Sequence, residues 1–302
     1  MKRAVVVGSL NLDYSIGLER MPKPGQTVSA DFLRLSPGGK GANQAYALGK
    51  LGCETAMIGV VGKDDAGRML TENLRSVGVD VFGIRESDTP TGQAFITVEK
   101  SCENAIIILA GANGQVSPQD IDRSRKLIED ADCLVMQLEI PVETVLYAAR
   151  LAKSLGKTVV LDPAPAVSGL PEELFALADF VKPNETELAV LTGMPTDTVE
   201  QCQMAAKVLL QKGAGTLLVS LGSKGVLAVS RENGENMLVL PVEAKVVDTT
   251  AAGDCFTAAF VTAYDGDLKK ALIYANTAAS IAVSRPGAQS SIPSADEVIA
   301  RL

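Results

Sequence analysis

Short apolar runs rich in β-branched residues alternate with helical stretches along most of this chain, and no other feature restricts its fold as much. The runs lie at 4–7, 56–61, 105–109, 133–138, 158–161, 180–182 and 216–220. Between two pairs of runs, apolar residues recur at spacings of three and four, the period of one helical face; these stretches are 142–155 and 202–210. Strands that alternate with helices indicate βαβ units. We therefore predict an α/β fold whose central, mostly parallel sheet is covered by helices on both faces.

Two segments interrupt this alternation. Residues 14–36 are polar and rich in turn-forming residues, and residues 91–109 have the pattern of two strands around a polar turn at 101–104. Together they could form a small β lid beside the main sheet, or they could be ordinary surface excursions. Because the chain shows no internal repeat, low-complexity tract or linker, we expect residues 1–302 to form a single domain.

The chain contains no histidine. This excludes the Ser-His-Asp triad, the Cys-His pair and zinc sites with histidine ligands. Acid–base chemistry would have to come from Asp, Glu, Lys, Tyr or Cys side chains. The five cysteines are scattered without a CxxC pair. That pattern indicates reduced thiols, a cytoplasmic location and no cysteine-based metal centre.

The formal net charge of −8 disfavours a nucleic-acid surface, since the phosphate backbone binds clustered Lys and Arg. Hydrophobic residues make up 47% of the chain and charged residues 21%, the balance of an ordinary globular protein. The first apolar run is too short for a signal sequence or a membrane span, and no later run reaches the ~18 residues that a spanning helix needs. We therefore expect small-molecule partners, with no nucleic acid and no membrane.

The strongest chemical signal is the segment 248–254, Asp-Thr-Thr-Ala-Ala-Gly-Asp, which precedes a stretch with helical apolar spacing. Ala251, Ala252 and Gly253 would then lie at a helix N-terminus, where free backbone N–H groups and the helix dipole favour an anion. Asp254 would lie beside that anion and could accept the proton of an attacking hydroxyl. The alternative is that Asp254 only stabilises the helix dipole, which is worth under ~1 kcal/mol.

A second signal is the segment 37–45, Pro-Gly-Gly-Lys-Gly-Ala-Asn-Gln-Ala, which leads into a helical stretch at 42–51. It lacks the GxxxxGK[ST] pattern of a Walker A loop, and the GxGxxG fingerprint of dinucleotide-binding oxidoreductases does not occur in the chain. The glycines would instead let the backbone and Asn43 approach a polyol substrate. A glycine-rich loop before a helix is common, so this segment alone indicates little.

Taken together, the two segments resemble the signatures of the ribokinase-type (PfkB) family of carbohydrate kinases, a GGKGAN-like segment near the N-terminus and a DTxxAGD-like segment near the C-terminus. The resemblance extends over nearly the whole chain, through blocks at 11–13, 38–45, 136–139, 183–187, 220–225 and 285–289. It implies a kinase that transfers the γ-phosphoryl group of ATP to a sugar hydroxyl, with the 5-hydroxyl of D-ribose as the expected acceptor. Kinases of deoxyribose, fructose, a nucleoside or pseudouridine, and a non-catalytic sensor of sugar or nucleotide, are the alternatives.

The resemblance also implies roles for individual residues. Asp254 would be the catalytic base, and the phosphoryl group in transfer would lie against Ala251, Ala252 and Gly253. The sugar pocket would be formed by groups that suit the hydroxyls of a pentose, namely Asn11, Leu12, Asp13, Gly39, Lys40, Gly41, Ala42, Asn43, Glu139 and Asp254. The nucleotide would be held by Asn184, Ser220, Leu221, Gly222, Ser223, Lys224, Gly225, Gly253 and Asn276.

Two metal ions are implied as well. Glu187 would organise Mg²⁺ through water, because this ion keeps much of its hydration shell; alternatively, Glu187 is only the partner of Asn184 in a capping box. A monovalent cation, usually K⁺, would lie beside the anion site, among Asp248, Thr250, Ala282, Arg285, Gly287 and Ser291. Pro286 removes a backbone donor from this loop but no carbonyl group.

The resemblance carries two further expectations. The lid would close over the sugar, exclude water, and form the interface of a homodimer. Where the family often has a histidine near the adenine, this chain has Asn276, which can form hydrogen bonds but stacks poorly on a base.

Overall fold

The computed structural model describes residues 3–100, 104–231 and 236–302. Its strands are β1 (Arg3–Val7), β2 (Asn11–Leu18), β3 (Ala30–Gly38), β4 (Glu54–Gly62), β5 (Asp80–Ser87), β6 (Gly92–Glu99), β7 (Asn104–Leu109), β8 (Cys133–Met136), β9 (Thr158–Leu161), β10 (Phe180–Val181), β11 (Thr216–Ser220), β12 (Val226–Ser230) and β13 (Asn236–Val239). Its helices are α1 (Lys40–Lys50), α2 (Asp65–Ser76), α3 (Pro118–Arg123), α4 (Arg125–Asp130), α5 (Val142–Ser154), α6 (Glu172–Leu177), α7 (Glu185–Thr192), α8 (Val199–Gln211), α9 (Ala252–Ala263), α10 (Leu268–Ala282) and α11 (Ala295–Ile299).

The main sheet has nine strands in the order β13-β12-β11-β10-β9-β8-β1-β4-β5. All pairs from β11 to β5 are parallel, whereas β12 pairs antiparallel with both β11 and β13. The prediction of a mostly parallel sheet is confirmed. The strand order also places β1 between β8 and β4. Segments that are far apart in the chain therefore become neighbours at the carboxyl end of β1.

Alternate residues of β1 face opposite sides of the main sheet. Val5 and Val7 pack in one apolar core with residues of α3 to α8, whereas Ala4 and Val6 pack in a second core with residues of α1, α2 and α9 to α11. These four side chains are at most 3% exposed. Both faces are covered by helices, as continuous apolar runs predict for parallel strands. The predicted α/β class is therefore confirmed.

A second, small sheet consists of four strands in the order β3-β2-β6-β7. β2 pairs antiparallel with β3 and parallel with β6, and β6 pairs antiparallel with β7. The strands come from the two segments that interrupt the βα alternation, but they extend further than predicted, since β2 begins at Asn11 and β3 ends at Gly38. The predicted turn at 101–104 lies almost entirely outside the described residues.

Polar side chains follow several parallel strands at one edge of the main sheet. Ser9 comes after β1, Gln137 after β8, Asp162 after β9 and Lys182 after β10, and each is at most 5% exposed. The carboxyl ends of parallel strands meet at the same edge, and ligands of open α/β sheets bind there. This edge is therefore where a functional site is expected.

Four cysteines of the described chain, Cys53, Cys133, Cys202 and Cys255, are buried, in agreement with their apolar sequence context. Burial raises the pKa of the Cys255 thiol to about 12, so this thiol is poorly nucleophilic near neutral pH. Cys102 lies outside the described residues. None of the helices in the described ranges has both the length and the apolar character needed to cross a bilayer.

Candidate active site

Asp254 lies in the first turn of α9, as predicted, and is 5% exposed. The helix starts after Ala251, whose φ of 57° and ψ of 10° lie in the left-handed region. Among the described residues, Ala251 alone combines a side chain with a positive φ. Such backbone conformations cost free energy and concentrate at functional sites. The local strain therefore marks the start of α9 as a site with a specific task.

Free backbone donors are present at this helix start. Within the described chain, the N–H groups of Gly253 and Asp254 donate to no other residue. The N–H of Ala252 is different, because it donates to the carbonyl oxygen of Thr249 at 3.2 Å. Two free donors at the positive end of a 12-residue helix suit an anion. The predicted anion site thus has the donors of Gly253 and Asp254, while that of Ala252 is already bonded.

Two side chains of α1 bind the carboxylate of Asp254. Asn43 Nδ2 donates to Oδ2 at 2.9 Å, and Gln44 Nε2 donates to Oδ1 at 3.0 Å. Gln289 Nε2 in turn donates to Asn43 Oδ1 at 3.0 Å, and Gln137 Nε2 donates to Gln44 Oε1 at 2.5 Å. The helix after the early glycine loop and the helix after the late Ala-Ala-Gly turn therefore meet at this carboxylate.

Opposing effects set the proton affinity of Asp254. Burial raises its pKa, Lys40 and the bonds from Asn43 and Gln44 lower it, Asp162 raises it further, and the net shift is upward. Burial likewise disfavours the Lys40 ammonium, but the nearby carboxylates, Asp254 first among them, outweigh burial and raise its pKa. A carboxylate of raised pKa accepts a proton more readily than free aspartate, which suits the deprotonation of a hydroxyl group.

The glycine loop packs directly on the chain that follows β1. A Cβ atom on Gly39 would lie 2.7 Å from the backbone nitrogen of Asn11, and one on Gly41 would lie 2.5 Å from that of Ser9. Gly39 also has a φ of +86°, a conformation that glycine adopts without steric cost. These two glycines are therefore needed for the close approach of two backbones.

The N–H groups at the start of α1 are used inside the protein. Lys40 N donates to Glu139 Oε2 at 3.0 Å, Gly41 N donates to Ser9 Oγ at 3.3 Å, and Ala42 N donates to the carbonyl oxygen of Ser9 at 2.8 Å. Ser9 Oγ donates to the same Glu139 oxygen at 2.5 Å. Glu139 is thus held against the loop by one oxygen, while its Oε1 accepts no hydrogen bond from the described residues.

The start of β2 carries three of the residues predicted for the sugar pocket. Asn11 Oδ1 accepts a hydrogen bond from Asn113 Nδ2 at 2.7 Å, which orients the amide group. Leu12 is 4% exposed, and its side chain faces away from those of Asn11 and Asp13 because side chains alternate along a strand. Only the backbone of Leu12 is therefore placed to contact a ligand on that side.

Asp13 is 9% exposed and lies against Gly38, where a Cβ atom would be 2.1 Å from Asp13 Oδ2. Burial, with the charges of Glu139 and Asp254, raises the pKa of Asp13 to about 7. Hydroxyl groups that donate to this carboxylate would stabilise its ionised form. The three acids therefore border one small region beside the glycine loop.

Asn184 and Glu187 form a capping box at the start of α7. Glu187 N donates to Asn184 Oδ1 at 2.7 Å, and Asn184 N donates to Glu187 Oε2 at 2.8 Å. The capping interpretation is therefore confirmed. A role near a metal ion is compatible with it, because Glu187 lies close enough to act electrostatically on Lys40. In the described ranges no group of three or more His, Cys, Asp or Glu side chains could hold a metal ion.

The turn 220–225 follows β11 and lies beside Asn184, with which Ser220 forms an isolated parallel bridge. Residues 222–224 are exposed, whereas Leu221 is 2% exposed and packs in the core. The parallel sheet therefore brings two of the segments predicted to hold the nucleotide next to each other. The side chain of Leu221 is not available to a ligand.

Asn276, on α10, is 9% exposed and forms hydrogen bonds to the end of β13 and the residue after it. Its Nδ2 donates to the carbonyl oxygens of Val239 at 3.2 Å and Leu240 at 3.1 Å. Gly225 approaches the same segment, since a Cβ atom on it would lie 2.1 Å from the carbonyl oxygen of Val239. The amide donors of Asn276 are thus occupied, and its Oδ1 is the atom left for a nucleotide.

Asp248 connects the two loops predicted to hold a monovalent cation. Its Oδ1 accepts from Thr250 N at 2.9 Å and Thr250 Oγ1 at 2.6 Å, and its Oδ2 accepts from Gly287 N at 2.8 Å. Burial opposes ionisation, but these hydrogen bonds outweigh it and lower the pKa of Asp248. An ionised carboxylate is a hard oxygen donor, the type of ligand that a cation such as K⁺ would need at this position.

The other residues predicted for the cation site differ in how they are placed. Ala282 and Ser291 are fully buried, and Ser291 Oγ donates to the carbonyl oxygen of Ala288 at 2.7 Å. The Arg285 guanidinium points to Glu297, with Nη2 donating to Oε1 at 2.5 Å. Arg285 can therefore contribute its carbonyl oxygen but not its charge.

Several side chains at this site were not predicted from the sequence, above all Gln44, Gln137, Asp162 and Lys182. Gln44 Nε2 donates to Asp162 Oδ2 at 2.9 Å as well as to Asp254, and Lys182 Nζ lies 3.2 Å from the same Asp162 oxygen. Gln137, Asp162 and Lys182 each follow a parallel strand directly, and that position was the signal that could have identified them.

Comparison with known proteins agrees with this geometry. The pattern of the pfkB family carbohydrate kinases matches residues 1–295. A ribokinase of Haemophilus influenzae is 40% identical over 301 residues, covering 99% of this chain and 97% of that protein. A deoxyribokinase of Salmonella typhi is 38% identical over 295 residues, covering 97% of this chain and 96% of that protein. The structure of Arabidopsis thaliana ribokinase complexed with ribose and ATP has a TM-score of 0.91 at 36% identity. The match covers 99% of this chain and 98% of that protein. This chain therefore belongs to the pfkB family of carbohydrate kinases.

Proposed function

We propose that this protein is an ATP-dependent kinase that phosphorylates the 5-hydroxyl of D-ribose, giving ribose 5-phosphate and ADP. One observation carries the proposal. The Asp254 carboxylate accepts a hydrogen bond from Asn43 in the helix after the glycine loop, and it lies in the same helical turn as the free backbone N–H groups of Gly253 and Asp254. A base and an anion site are thus adjacent. The relatives support ribose as acceptor, since a ribokinase is 40% identical to the chain.

The residues of the site divide the chemistry between them. The sugar oxygen attacks the γ-phosphorus while its proton passes to the Asp254 carboxylate. The bond from the γ-phosphorus to the bridging oxygen breaks, and ADP leaves with that electron pair. The N–H groups of Gly253 and Asp254 stabilise the charge on the transferred group. Asn11, Asp13 and Glu139 bind the other hydroxyls, which orients the attacking oxygen.

ATP is assigned to the adjacent surface along the ends of β10 and β11. Asn184 and the turn 220–225 lie side by side there, and Asn276 binds the carbonyl oxygens of Val239 and Leu240, close to Gly225. Gly222 and Ser223 are small and exposed, which would allow a nucleotide to approach the backbone. The γ-phosphoryl group would then point toward the start of α9.

Two cations fit the residues present. Mg²⁺ bound to the ATP phosphates would supply charge neutralisation, and Glu187 would orient its water ligands. K⁺ would lie at the carboxylate of Asp248 and the carbonyl groups of the loop that contains Gly287. Asp248 holds these two loops together, so an ion there would stiffen the turn that carries Ala251 and the free N–H donors.

The small sheet is proposed as the lid over the sugar. It carries Asn11 and Asp13, and closure would exclude water from the phosphoryl group and limit hydrolysis of ATP. Seven of its apolar side chains are each at least 46% exposed, and they divide between the two faces because side chains alternate along a strand: Leu33, Leu35, Ile107 and Leu109 share one face, and Phe32, Ile106 and Ile108 share the other. Exposed apolar faces of this size mark interfaces, and a second copy of the chain is the proposed partner. Leu33→Asp should convert a dimer to a monomer in analytical ultracentrifugation.

A cytoplasmic location is the proposal that fits the cysteines and the co-substrate. The four described cysteines are buried in the cores rather than placed at the surface. Intracellular proteins keep such thiols reduced.

Deoxyribose is the second candidate acceptor, because a deoxyribokinase is 38% identical over nearly the whole chain. The two sugars differ only in the 2-hydroxyl, so acceptors such as Asp13 and Glu139 distinguish them if either bonds that group. A non-catalytic sensor is disfavoured, since the base and the free N–H donors of Gly253 and Asp254 are all present.

The test is an ADP-release assay with purified protein, Mg²⁺ and ATP over a panel of ribose, 2-deoxyribose, fructose, pseudouridine and other nucleosides. The highest kcat/KM is expected for ribose, and mass spectrometry should show phosphate at the 5-position. A higher kcat/KM for deoxyribose or fructose would transfer the assignment to that sugar. ADP release that no acceptor stimulates would overturn the kinase proposal.

A further inference from the structure

Lys182 is a buried cation that the mechanism above does not use. It follows β10 directly and is 5% exposed. Its Nζ lies 3.2 Å from Asp162 Oδ2, and the Asp162 side chain is 1% exposed. Burying an ammonium and a carboxylate is costly, and such pairs often add nothing to stability. A pair kept at the ligand-binding edge of the sheet therefore indicates a function.

The ammonium lies over the first turn of α9. A Cβ atom built on Gly253 would be 3.0 Å from Lys182 Nζ, and no other group outside that helix comes within 4 Å of the position in the part of the chain that the structure describes. The backbone N–H of the same Gly253 is one of the two free donors at the helix start. Two kinds of positive group, an ammonium and the donors of a helix N-terminus, thus border the same glycine.

The polar contacts of the pair are incomplete. Asp162 Oδ2 accepts from Gln44 and faces Lys182, but Oδ1 is buried and has no hydrogen-bond partner. An ammonium carries three N–H donors, yet among the described residues Asp162 is the only polar side chain in contact with Lys182 Nζ. A buried carboxylate with an unpaired oxygen costs free energy, so stability alone does not explain Asp162. The remaining donors of Lys182 are free for an anionic ligand.

We propose that Lys182 is a further catalytic residue, whose ammonium binds a non-bridging oxygen of the phosphoryl group that ATP transfers. This rests on the proposed kinase function. Asp162 is its positioning residue, and Gln44 connects Asp162 to the base Asp254. Lys182 keeps its three protons throughout: the proton of the sugar hydroxyl goes to Asp254, and ADP takes the electrons of the broken bond. The fixed charge stabilises the negative charge of the transition state.

A consequence separates this role from a structural one. ADP has no γ-phosphoryl group, so Lys182 should contribute to the binding of an ATP analogue and not to the binding of ADP. A lysine that only supports the fold would affect both nucleotides to the same extent.

The experiment compares Asp162→Asn with the double variant Asp162→Asn/Lys182→Met. Removing Lys182 alone would leave the Asp162 carboxylate buried without its partner and could prevent folding, whereas the Asp162→Asn change shared by both variants avoids this. A control for loss of a lysine–aspartate pair is Lys153→Met/Asp179→Asn, since Lys153 Nζ and Asp179 Oδ1 form a 2.9 Å pair near the opposite ends of the strands. For each variant, kcat is measured with ribose, and calorimetry gives the Kd of ADP and of the β,γ-imido analogue of ATP.

Relative to Asp162→Asn, the double variant should lose about 10²-fold in kcat, as is typical for one preorganised electrostatic contact. Its affinity for the imido analogue should fall by about tenfold or more, its affinity for ADP by less than about twofold, and its Tm should stay near that of the single variant. Equal kcat in the two variants, or equal losses for both nucleotides, would overturn the proposal. If even the unmodified protein phosphorylates no sugar, the kinase function fails, while the nucleotide comparison still decides the contact of Lys182.

Discussion

Asn43 donates a 2.9 Å hydrogen bond to the carboxylate of Asp254, across 211 positions of the chain. Asn43 belongs to the helix after the early glycine loop, and Asp254 to the helix after the late Ala-Ala-Gly turn. Both side chains are buried, so this bond is well shielded from water. The proposed base is therefore oriented by the same helix whose first residues belong to the proposed sugar pocket.

Asp254→Asn should keep the fold and the affinity for sugar but lower kcat by at least about 10²-fold, because an amide cannot accept the hydroxyl proton. Steady-state kinetics with ribose and ATP measure the loss, and a thermal melt checks the fold. Asp296→Asn is a matched control, since Asp296 is an exposed acid in the first turn of α11. Near-normal kcat in Asp254→Asn would contradict the role of the base.

Asn43→Leu should move the acidic limb of the pH–kcat profile to higher pH. The hydrogen bond from Asn43 favours the ionised form of Asp254 and lowers its pKa. Without this bond, burial raises the pKa of Asp254 further. Activity should therefore fall more strongly at pH 6 than at pH 8. Asn73→Ala serves as comparison, because Asn73 Nδ2 bonds Gln289, the partner of Asn43, and not the base itself. Identical acidic limbs in Asn43→Leu and the unmodified protein would refute the coupling.

Asp13→Asn should stabilise the sugar-free protein at high pH. The pKa of Asp13 is about 7 in the folded state against 3.8 in the unfolded chain, chiefly through burial. Its contribution to stability is therefore fully present below pH 3.8 and is lost as the pH rises through about 7. Since one pKa unit is worth about 1.4 kcal/mol, the variant should gain roughly 2.5 kcal/mol over the unmodified protein between pH 5 and pH 8.

Urea unfolding at the two pH values measures this difference for Asp13→Asn. The control is Asp31→Asn, an exposed carboxylate on β3 of the same small sheet, which should show no such pH-dependent gain. Ribose affinity should fall in Asp13→Asn, because an acceptor for a sugar hydroxyl is replaced. If Asp13→Asn gains no free energy of unfolding relative to the unmodified protein between pH 5 and pH 8, the Asp13 carboxyl group is not desolvated.

Potassium should raise kcat several-fold over sodium at fixed Mg²⁺, and Asp248→Asn should abolish the difference. Asp248 binds both loops of the proposed cation site, and loss of its charge removes the anionic ligand. The measurement is kcat in matched chloride salts at constant ionic strength. Equal rates in K⁺ and Na⁺ for the unmodified protein would remove the cation site from the proposal.

Much of the fold was predictable because its signals are local. A β-branched run such as 158–161 carries its strand preference in consecutive residues, and the strand Thr158–Leu161 has those bounds. The small residues before Asp254 likewise predicted a helix start, and Ala251 is its N-cap. Boundaries were less predictable: β2 begins at Asn11 rather than near residue 14, because pairing with β3 and β6 extends it.

By itself, the sequence determined the α/β class, the helix start before Asp254 and the glycine loop, since each depends on residue types within a few positions. Only the tertiary structure decided that Gln44, Asp162 and Lys182 lie together behind Asp254. Asp162 and Lys182 are single polar residues after strands and form no local pattern. They meet because β9 and β10 are neighbours in the sheet, and Gln44 reaches them because α1 packs against α9. Both contacts join segments distant in sequence and are stabilised by the burial of apolar surface.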